Sequence, residues 1–423
     1  MKIQSVTGMH DILPEDQPYF QKINRVVESI ANYYGFSKIE TPILEFAEVF
    51  SKGVGATTDI VEKETYTFKT KGGDLVSLRP EGTAPVMRSY IEHGMHNLSQ
   101  PVKLWYLGPF FRHERPQAGR FRQFHQFGFE VLGEQNPSID GQIIQMSYDV
   151  LRELSFKNIT IEVNSIGDSE CRPYFKKILT GYFRSRKFSL CSDCQRRLKE
   201  NPLRILDCKE EKCQRVKAGA PQIIDHLCEN CHSHFKQVLE FLDELELPYT
   251  LNPYLVRGLD YYTKTVFEIV DNNEEGKTQG SLLAGGRYDN LAKILGGRDT
   301  PACGSAGGIE RIMSLMKDRE VKTAKVIEPK IFLAQLGQLA KRKGLKLFEE
   351  FRNAKVPIAE SFSKDSLKTQ LRTANKMNIR WVLIFGQKEA LEGFITLRDM
   401  ETGAQKEIKL DKVVKEMKAK IKK

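Results

Sequence analysis

The chain has 423 residues, 40% of them hydrophobic and 28% charged, which is enough for two or three domains of ~100–200 residues each. Its uninterrupted apolar runs stop at about five residues, far short of the ~20 a membrane-spanning helix needs. That excludes a helical membrane protein, and a soluble globular chain with no membrane partner is expected. The net charge of +10 is uneven: residues 325–423 carry 23 basic and 12 acidic side chains, leaving 42 basic against 43 acidic in the first 324. A neutral body with a basic appendage points to a last domain that meets a polyanion, most simply nucleic acid, because fixed cations release counterions from phosphates. The bland alternative is lysine kept for solubility. The opening MKIQSVTGMHDILPED has no apolar core of signal-peptide length and no arginine-rich amphipathic pattern, so a cytosolic location is expected.

Residues 1 to about 165 alternate helical stretches, such as 18–34, with strand-like runs, such as 103–107 and 124–131. From about 168 to 250 the character changes: seven of the eight cysteines, all but Cys303, fall there on basic-rich, helix-compatible spacing that reads as an insertion. Strand and glycine signals return over 254–316, as if the first part resumed to close one sheet. From about 325 the chain reads strand (330–336), helix (339–354), strand (356–360), helix (366–377), strand (380–385), two more strand-like runs and a lysine-rich final helix. That alternation predicts a small α/β domain with a mostly parallel sheet.

Three segments concentrate the chemistry. Residues 108–133, GPFFRHERPQAGRFRQFHQFGFEVLG, read as a long hairpin crowded with Arg112, His113, Glu114, Arg115, Arg120, Arg122 and His125. Alternation puts Gln126, Gly128 and Glu130 on one face of the second arm and Phe127, Phe129 and Val131 on the other. Arginines interleaved with aromatic rings fit a nucleotide site, where guanidinium clamps phosphate and rings stack bases. The run LVRGLDYYTKTVFE (255–268) sets Arg257 near Tyr261 and Tyr262 at the entry to a strand. Residues 282–313 carry paired glycines, expected to let backbone approach a ligand, and Arg311 at the opening of a helix.

Together these segments resemble the class II aminoacyl-tRNA synthetases, and within them the bacterial histidyl-tRNA synthetases, over nearly the whole chain. Residues 35–50, with Pro42, look like the first class-defining motif, 108–133 like the second and 304–313 like the third. LVRGLDYY and GGRYD are similar to signatures of the histidine enzymes, and LRPEGTAP (78–85) is a further match. The resemblance implies an α+β fold: a catalytic domain over 1–325 with an antiparallel sheet flanked by helices, a helical Cys-rich insertion at about 168–250, and an α/β anticodon-binding domain over 326–423. It implies a homodimeric ligase that joins L-histidine to tRNA(His) with ATP and Mg²⁺. Carried over residue by residue, Glu81, Thr83 and Gln126 would hold the α-ammonium group. Glu130 and Tyr262 would grip the imidazole, with Tyr261 and Tyr288 lining its pocket. Arg112 would bind the α-phosphate, Glu114 the adenine side, and Phe124 and Arg311 would sandwich the adenine. Arg257 is the expected catalytic cation together with Arg112, also touching ATP, while Arg115 and Gln117 would read the tRNA acceptor end. One departure is visible: Ser305 and Gly307 stand where the third motif usually carries bulky apolar residues, which implies altered packing of that strand and weaker hold on ATP.

Cys191-x2-Cys194 and Cys228-x2-Cys231 form two CxxC pairs, with Cys208 and Cys213 between them. In a cytosolic protein this spacing favours metal over disulfide, so structural zinc on Cys191, Cys194, Cys228 and Cys231, or on a mixture with Cys208 and Cys213, is weighed against reduced cysteines packing a helical insertion. Two other functions compete. A non-catalytic regulator, like the synthetase-like subunits of ATP phosphoribosyltransferase, would lack the anticodon domain and degrade the catalytic motifs. A class II synthetase for proline or threonine would have no need of paired phenols for an imidazole.

Overall fold

In the computed structural model, which describes residues 3–55, 58, 60–114, 119–272, 278–324 and 328–421, the chain forms two units, Met1–Ala324 and Lys325–Lys423. In the first, β1 (Ser37–Lys38) is followed by β2 (Leu44–Phe46), β3 (Thr67–Lys69) and β4 (Leu75–Leu78), which make a three-stranded sheet ordered β2-β4-β3. Then come β5 (Val102–Phe111), β6 (Gln123–Leu132), β7 (Ile159–Ser165), β8 (Tyr249–Leu251), β9 (Thr263–Asn272), β10 (Thr278–Arg287) and β11 (Ala302–Gly308). With β1 they form an eight-stranded sheet ordered β1-β5-β6-β11-β10-β9-β7-β8. The five inner pairings are antiparallel, and the two edge pairings, β1 with β5 and β7 with β8, are parallel.

The back of this sheet is a helix-covered core. Phe127, Phe129 and Val131 of β6 pack there with Trp105 and Phe267 against the helices Gln17–Tyr33, Pro137–Glu153, Glu229–Glu244 and Ile309–Asp318. Ile23, Val27 and Ile30 recur at the spacing that puts them on one helix stripe, and Pro137 starts its helix behind Asn136, whose side chain accepts the Ser138 N–H at 2.9 Å. Burying each phenylalanine contributes about 1.5–3 kcal/mol, so the apolar face of β6 anchors the strand whose other face carries the polar residues. The segment 168–250 is not uniform. Its helices Arg172–Arg184, Ser192–Glu200 and Glu211–Lys217 lie among front-face residues, whereas Phe235, Val238 and Leu242 of Glu229–Glu244 belong to the back core.

The glycine pair of β10 sits where neighbouring backbone is close. A Cβ on Gly285 would lie 2.3 Å from the Gly304 carbonyl oxygen, and one on Gly286 would lie 2.4 Å from that of Thr265. These glycines let strands close on one another beside a register shift.

The second unit holds β12 (Ile331–Gln335), β13 (Ile358–Glu360), β14 (Trp381–Phe385), β15 (Phe394–Asp399) and β16 (Gln405–Lys409), ordered β13-β12-β14-β15-β16. Here β12 pairs parallel with β13 and β14, while β14, β15 and β16 pair antiparallel, so the sheet is half parallel where a mostly parallel one was expected. The cause is connection length: helices Gln338–Asn353 and Leu367–Lys376 allow crossovers, but the tight turn between β15 and β16 permits only reversal.

Candidate active site

Two register rows cross the front of the large sheet. Tyr106, Gly128, Ala306, Ala284 and Glu268 form one, and Leu104, Glu130, Gly304, Gly286 and Val266 the next. Small residues in the middle of each row hollow the surface. A Cβ on Gly304 would sit 1.8 Å from Glu130 Oε2, and one on Gly82 or Gly128 would come within 2.3 or 2.4 Å of the Tyr106 ring.

Into this hollow the chain brings Glu81, Thr83, Glu130, Tyr261, Tyr262 and Tyr288, all of them buried. The Glu81 carboxylate accepts the N–H groups of Thr83 (2.6 Å) and Ala84 (2.9 Å), which fixes it at the start of the helix Thr83–Glu92. Thr83 Oγ1 donates to Glu130 at 2.7 Å, and the Tyr288 hydroxyl donates to the other Glu130 oxygen. The Tyr261 ring lies 4.7 Å from Tyr262 and 5.6 Å, edge-on, from Tyr288, and its hydroxyl points at Glu81. Burial pushes Glu130 up to about 8 against the opposing hydrogen bonds from Tyr288 and Thr83, with Glu81 adding a like charge. Burial raises Glu81 as well, opposed by its two backbone N–H groups. Two acidic groups thus share a buried pocket in which burial favours the protonated form of each, a setting that favours a cationic or N–H-rich ligand.

Beside the hollow lies a cavity of about 580 Å³ lined by Arg112, Glu114, Phe124, Gln126, Glu310 and Arg311 from the sheet side and by residues of the insertion opposite. Gln126 Oε1 is buried with no hydrogen-bond partner among the described residues. Arg112 donates through Nε to the Pro80 carbonyl at 2.8 Å and holds its guanidinium 5.3 Å from the Phe124 ring centroid. Glu310, next to Arg311 in the helix Ile309–Asp318, accepts the His125 backbone N–H at 2.8 Å and also meets its ring Nδ1 at 2.8 Å. Arg257 stands over the Tyr262 ring at 5.6 Å and pairs with Glu268 of β9; its Nε is buried without a partner among the described residues. Arg115 and Gln117 lie outside the described residues.

The structure also settles what stands behind the third motif. Ser305 and Gly307 face the back of β11, where the Ser147 hydroxyl donates to Ser305 at 2.8 Å and the Phe127 ring occupies the space that Gly307 leaves. The front positions Gly304, Ala306 and Gly308 face the hollow and cavity, so the departure alters packing away from them. Cys303 is a buried member of the back core.

Several residues in the site and behind it escaped the sequence reading. Glu268 answers Arg257. Tyr106 fills the space between Gly82 and Gly128. Arg287, inside GGRYD, is fully buried and bonds Asp140 at 2.6 and 3.0 Å, with His234 on the same carboxylate at 3.2 Å. Burial alone would raise Asp140, but Arg287 and His234 hold it down to about 2. An arginine between a glycine and a tyrosine on a core strand was a signal that a carboxylate had to meet it.

The four CxxC cysteines do not converge on one site; of the two expected ligand sets, the mixture with Cys208 and Cys213 is the one that Cys191 and Cys194 join. Cys191 and Cys194 meet Cys208 and Cys213, whereas Cys228 and Cys231 meet Cys171 and Asp168. The two CxxC pairs start different helices that pack in different places, so spacing along the chain did not decide which pairs converge.

An antiparallel sheet whose long hairpin, glycine strand and following helix present arginines and a phenylalanine to one cavity defines the catalytic domain of a class II aminoacyl-tRNA synthetase. The family model described as histidyl-tRNA synthetase matches residues 8–167 and 201–312, and the anticodon binding domain model matches 330–420. The chain is 46% identical to the histidine–tRNA ligase of Syntrophotalea carbinolica, over 97% of each chain, and 44% identical to that of Dehalococcoides mccartyi, over 99% of this chain and 100% of that one. It superposes on the crystal structure of apo S. aureus histidyl-tRNA synthetase with a TM-score of 0.78 at 33% identity, covering 99% of this chain and 100% of that one. The chain belongs to the histidyl-tRNA synthetase family, and its function is histidine–tRNA ligation. No described helix is long and apolar enough to cross a membrane.

Proposed function

We propose that the front hollow binds L-histidine and the adjoining cavity binds ATP, and that the two meet at Arg257 and Arg112. The observation that carries this reading is the joining of a buried pocket of two carboxylates and three phenols to a cavity walled by arginines and Phe124. Glu81, Thr83 and Gln126 hold the α-ammonium, and Glu130 and Tyr262 contact the two imidazole nitrogens, with Tyr261 and Tyr288 closing the pocket. A site built on such bonds rejects isosteres that leave its buried polar groups unpaired. Phe124 and Arg311 enclose the adenine, and Glu114 its polar edge.

The histidine carboxylate attacks the α-phosphorus, a new P–O bond forms and the bond to pyrophosphate breaks, giving histidyl-adenylate. The nucleophile is already an anion, so no general base is needed, and the enzyme's task is to align two anions and neutralise developing charge. Arg257 and Arg112 do this on the protein side. Mg²⁺ held on the triphosphate would supply further charge neutralisation, and the cavity-wall carboxylate of Glu310 would offer it a hard oxygen donor. A terminal ribose hydroxyl of tRNA(His) then attacks the acyl carbon and AMP leaves. Arg115 and Gln117 of the second-motif loop read the acceptor end, and residues 326–423, with their excess of positive charge, grip the anticodon arm. The enzyme works as a cytoplasmic homodimer, and zinc in the insertion takes no part in the chemistry.

Exchange of labelled pyrophosphate into ATP, run with each of the twenty amino acids and no tRNA, tests this. Exchange with histidine alone is expected. Histidine binding without exchange would revive the regulator, against which Arg112, Arg257, Arg311 and the second unit now stand.

A further inference from the structure

The segment between β7 and β8 gathers seven cysteines and one aspartate into two separate clusters of four: Cys191, Cys194, Cys208 and Cys213, and Asp168, Cys171, Cys228 and Cys231. In each, the four ligand atoms lie within 4.8 Å of one another. The clusters are built alike. Cys191 is the N-cap of the helix Ser192–Glu200 with Cys194 in its first turn, and Cys228 is the N-cap of Glu229–Glu244 with Cys231 in its first turn. Backbone N–H groups point at the sulfurs: Cys194 N–H at Cys191 Sγ (3.4 Å), Cys191 N–H at Cys213 Sγ (3.2 Å) and Asp168 N–H at Cys171 Sγ (3.3 Å). Such bonds orient thiolate ligands around a metal.

Distances separate a metal site from a disulfide. Cys191 Sγ and Cys208 Sγ are 3.9 Å apart, close to the ~3.8 Å edge of a tetrahedron with ~2.3 Å zinc–sulfur bonds and nearly twice the ~2.05 Å of a disulfide. Buried cysteines that merely pack have no reason to converge four at a time, twice, within one short segment. The segment also needs a fastening: its helices Ser192–Glu200 and Glu211–Lys217 are nine and seven residues long, shorter than the ~12–15 that stand alone even in favourable sequences.

We propose that the insertion is a two-zinc module, with a four-cysteine site and a three-cysteine, one-aspartate site, each holding one structural ion. Sulfur-dominated tetrahedral donor sets suit zinc and disfavour magnesium or calcium. Both ions border the catalytic loop. Cys191 and Cys208 of the first site form part of the cavity wall with Arg204, whose guanidinium donates to the Gly258 carbonyl at 2.6 Å, while Asn201 donates to Asp260 at 3.0 Å. At the second, Arg172 follows Cys171 directly and donates to the Tyr262 carbonyl. The module therefore holds the loop of Arg257, Tyr261 and Tyr262 from two sides. The metal assignment stands on the insertion alone, independently of the roles given to the cavity.

Elemental analysis of full-length protein, made in zinc-supplemented medium and purified without chelator, tests it. Two zinc ions per chain are expected, with Cys208→Ser lowering the content by one, Cys228→Ser lowering it by the other, and Cys303→Ser leaving both. Should a variant fail to fold, chelator extraction of the wild type gives the same answer through limited proteolysis: cleavage within 168–228 is expected only after extraction, while the sheet keeps its circular dichroism. Less than about half an equivalent of zinc in total overturns the proposal. A single equivalent that one variant abolishes and the other leaves intact overturns the cluster whose variant has no effect. Unchanged protease resistance after full extraction overturns the fastening role.

Discussion

Replacing Arg257 with alanine removes the cation on which the proposed activation step most depends. Its guanidinium stacks over Tyr262 and pairs with Glu268, whose side chain is 21% exposed. One preorganised charge donor at a reacting centre contributes ~2.7–4 kcal/mol to the transition state, or ~10²–10³ in rate. Truncation also leaves Glu268 without its partner, and an unbalanced carboxylate beside two reacting anions adds to the loss. For stability the lost pair is partly solvated, so about 1–2 kcal/mol is expected, a fall of a few degrees in Tm. Pyrophosphate exchange at saturating histidine and ATP should therefore drop ~10²–10³-fold in a protein that is still folded. Arg257→Lys, which keeps the charge and loses the planar fork, should fall in between. Adding Glu268→Gln to Arg257→Ala should restore the melting temperature and only a small part of the exchange. If kcat stays within about tenfold of wild type and only KM for histidine or ATP rises, Arg257 binds the ground state and the catalytic reading is wrong.

Four further outcomes follow from the site and the core behind it. Glu130, raised to about 8, should give up close to one proton when it accepts the imidazole N–H; calorimetry at pH 7 in buffers of different ionisation heat should detect that release, and equal release in Glu130→Gln refutes it. Its linkage to stability has a definite sign. The folded protein binds more protons than the unfolded chain between the ordinary carboxyl value of 4.5 and about 8, so Glu130 makes stability fall as pH rises through that window and level off above it; denaturant titrations should show Glu130→Gln flattening this slope. Gly304→Ala drives a Cβ into the Glu130 carboxylate and should cost about 1–3 kcal/mol, raising KM for histidine some 5- to 150-fold; an unchanged KM means that the hollow is not the histidine pocket. Arg287→Met strands Asp140 in the core and should destabilise the first unit by about 3–5 kcal/mol, most of which Asp140→Leu should return; a loss that the second change leaves untouched places the cost elsewhere.

Much of the site was legible because strand chemistry is periodic. With a period of two, Gln126, Gly128 and Glu130 must share a face once Phe127, Phe129 and Val131 are buried, and β6 obeys this. The basic excess after residue 325, the cysteine-rich change of character near 168 and the paired phenols of LVRGLDYY were equally local facts. Motif resemblance then supplied the proposed roles, on which periodicity is silent.

Tertiary structure decided what depended on which distant residues met. Glu268 lies eleven positions beyond Arg257, and only the path of β9 turns them toward each other. Asp140 and Arg287 are joined across 147 positions by a helix packed on the back of the sheet. The cysteine partners show the limit most plainly: CxxC spacing states that two thiols share a helix start, but Cys191 and Cys194 could have met Cys228 and Cys231, and instead met Cys208 and Cys213. Local periodicity follows from backbone geometry and is therefore written in the sequence. Pairing between segments follows from how their apolar faces pack, which no short stretch of the chain contains.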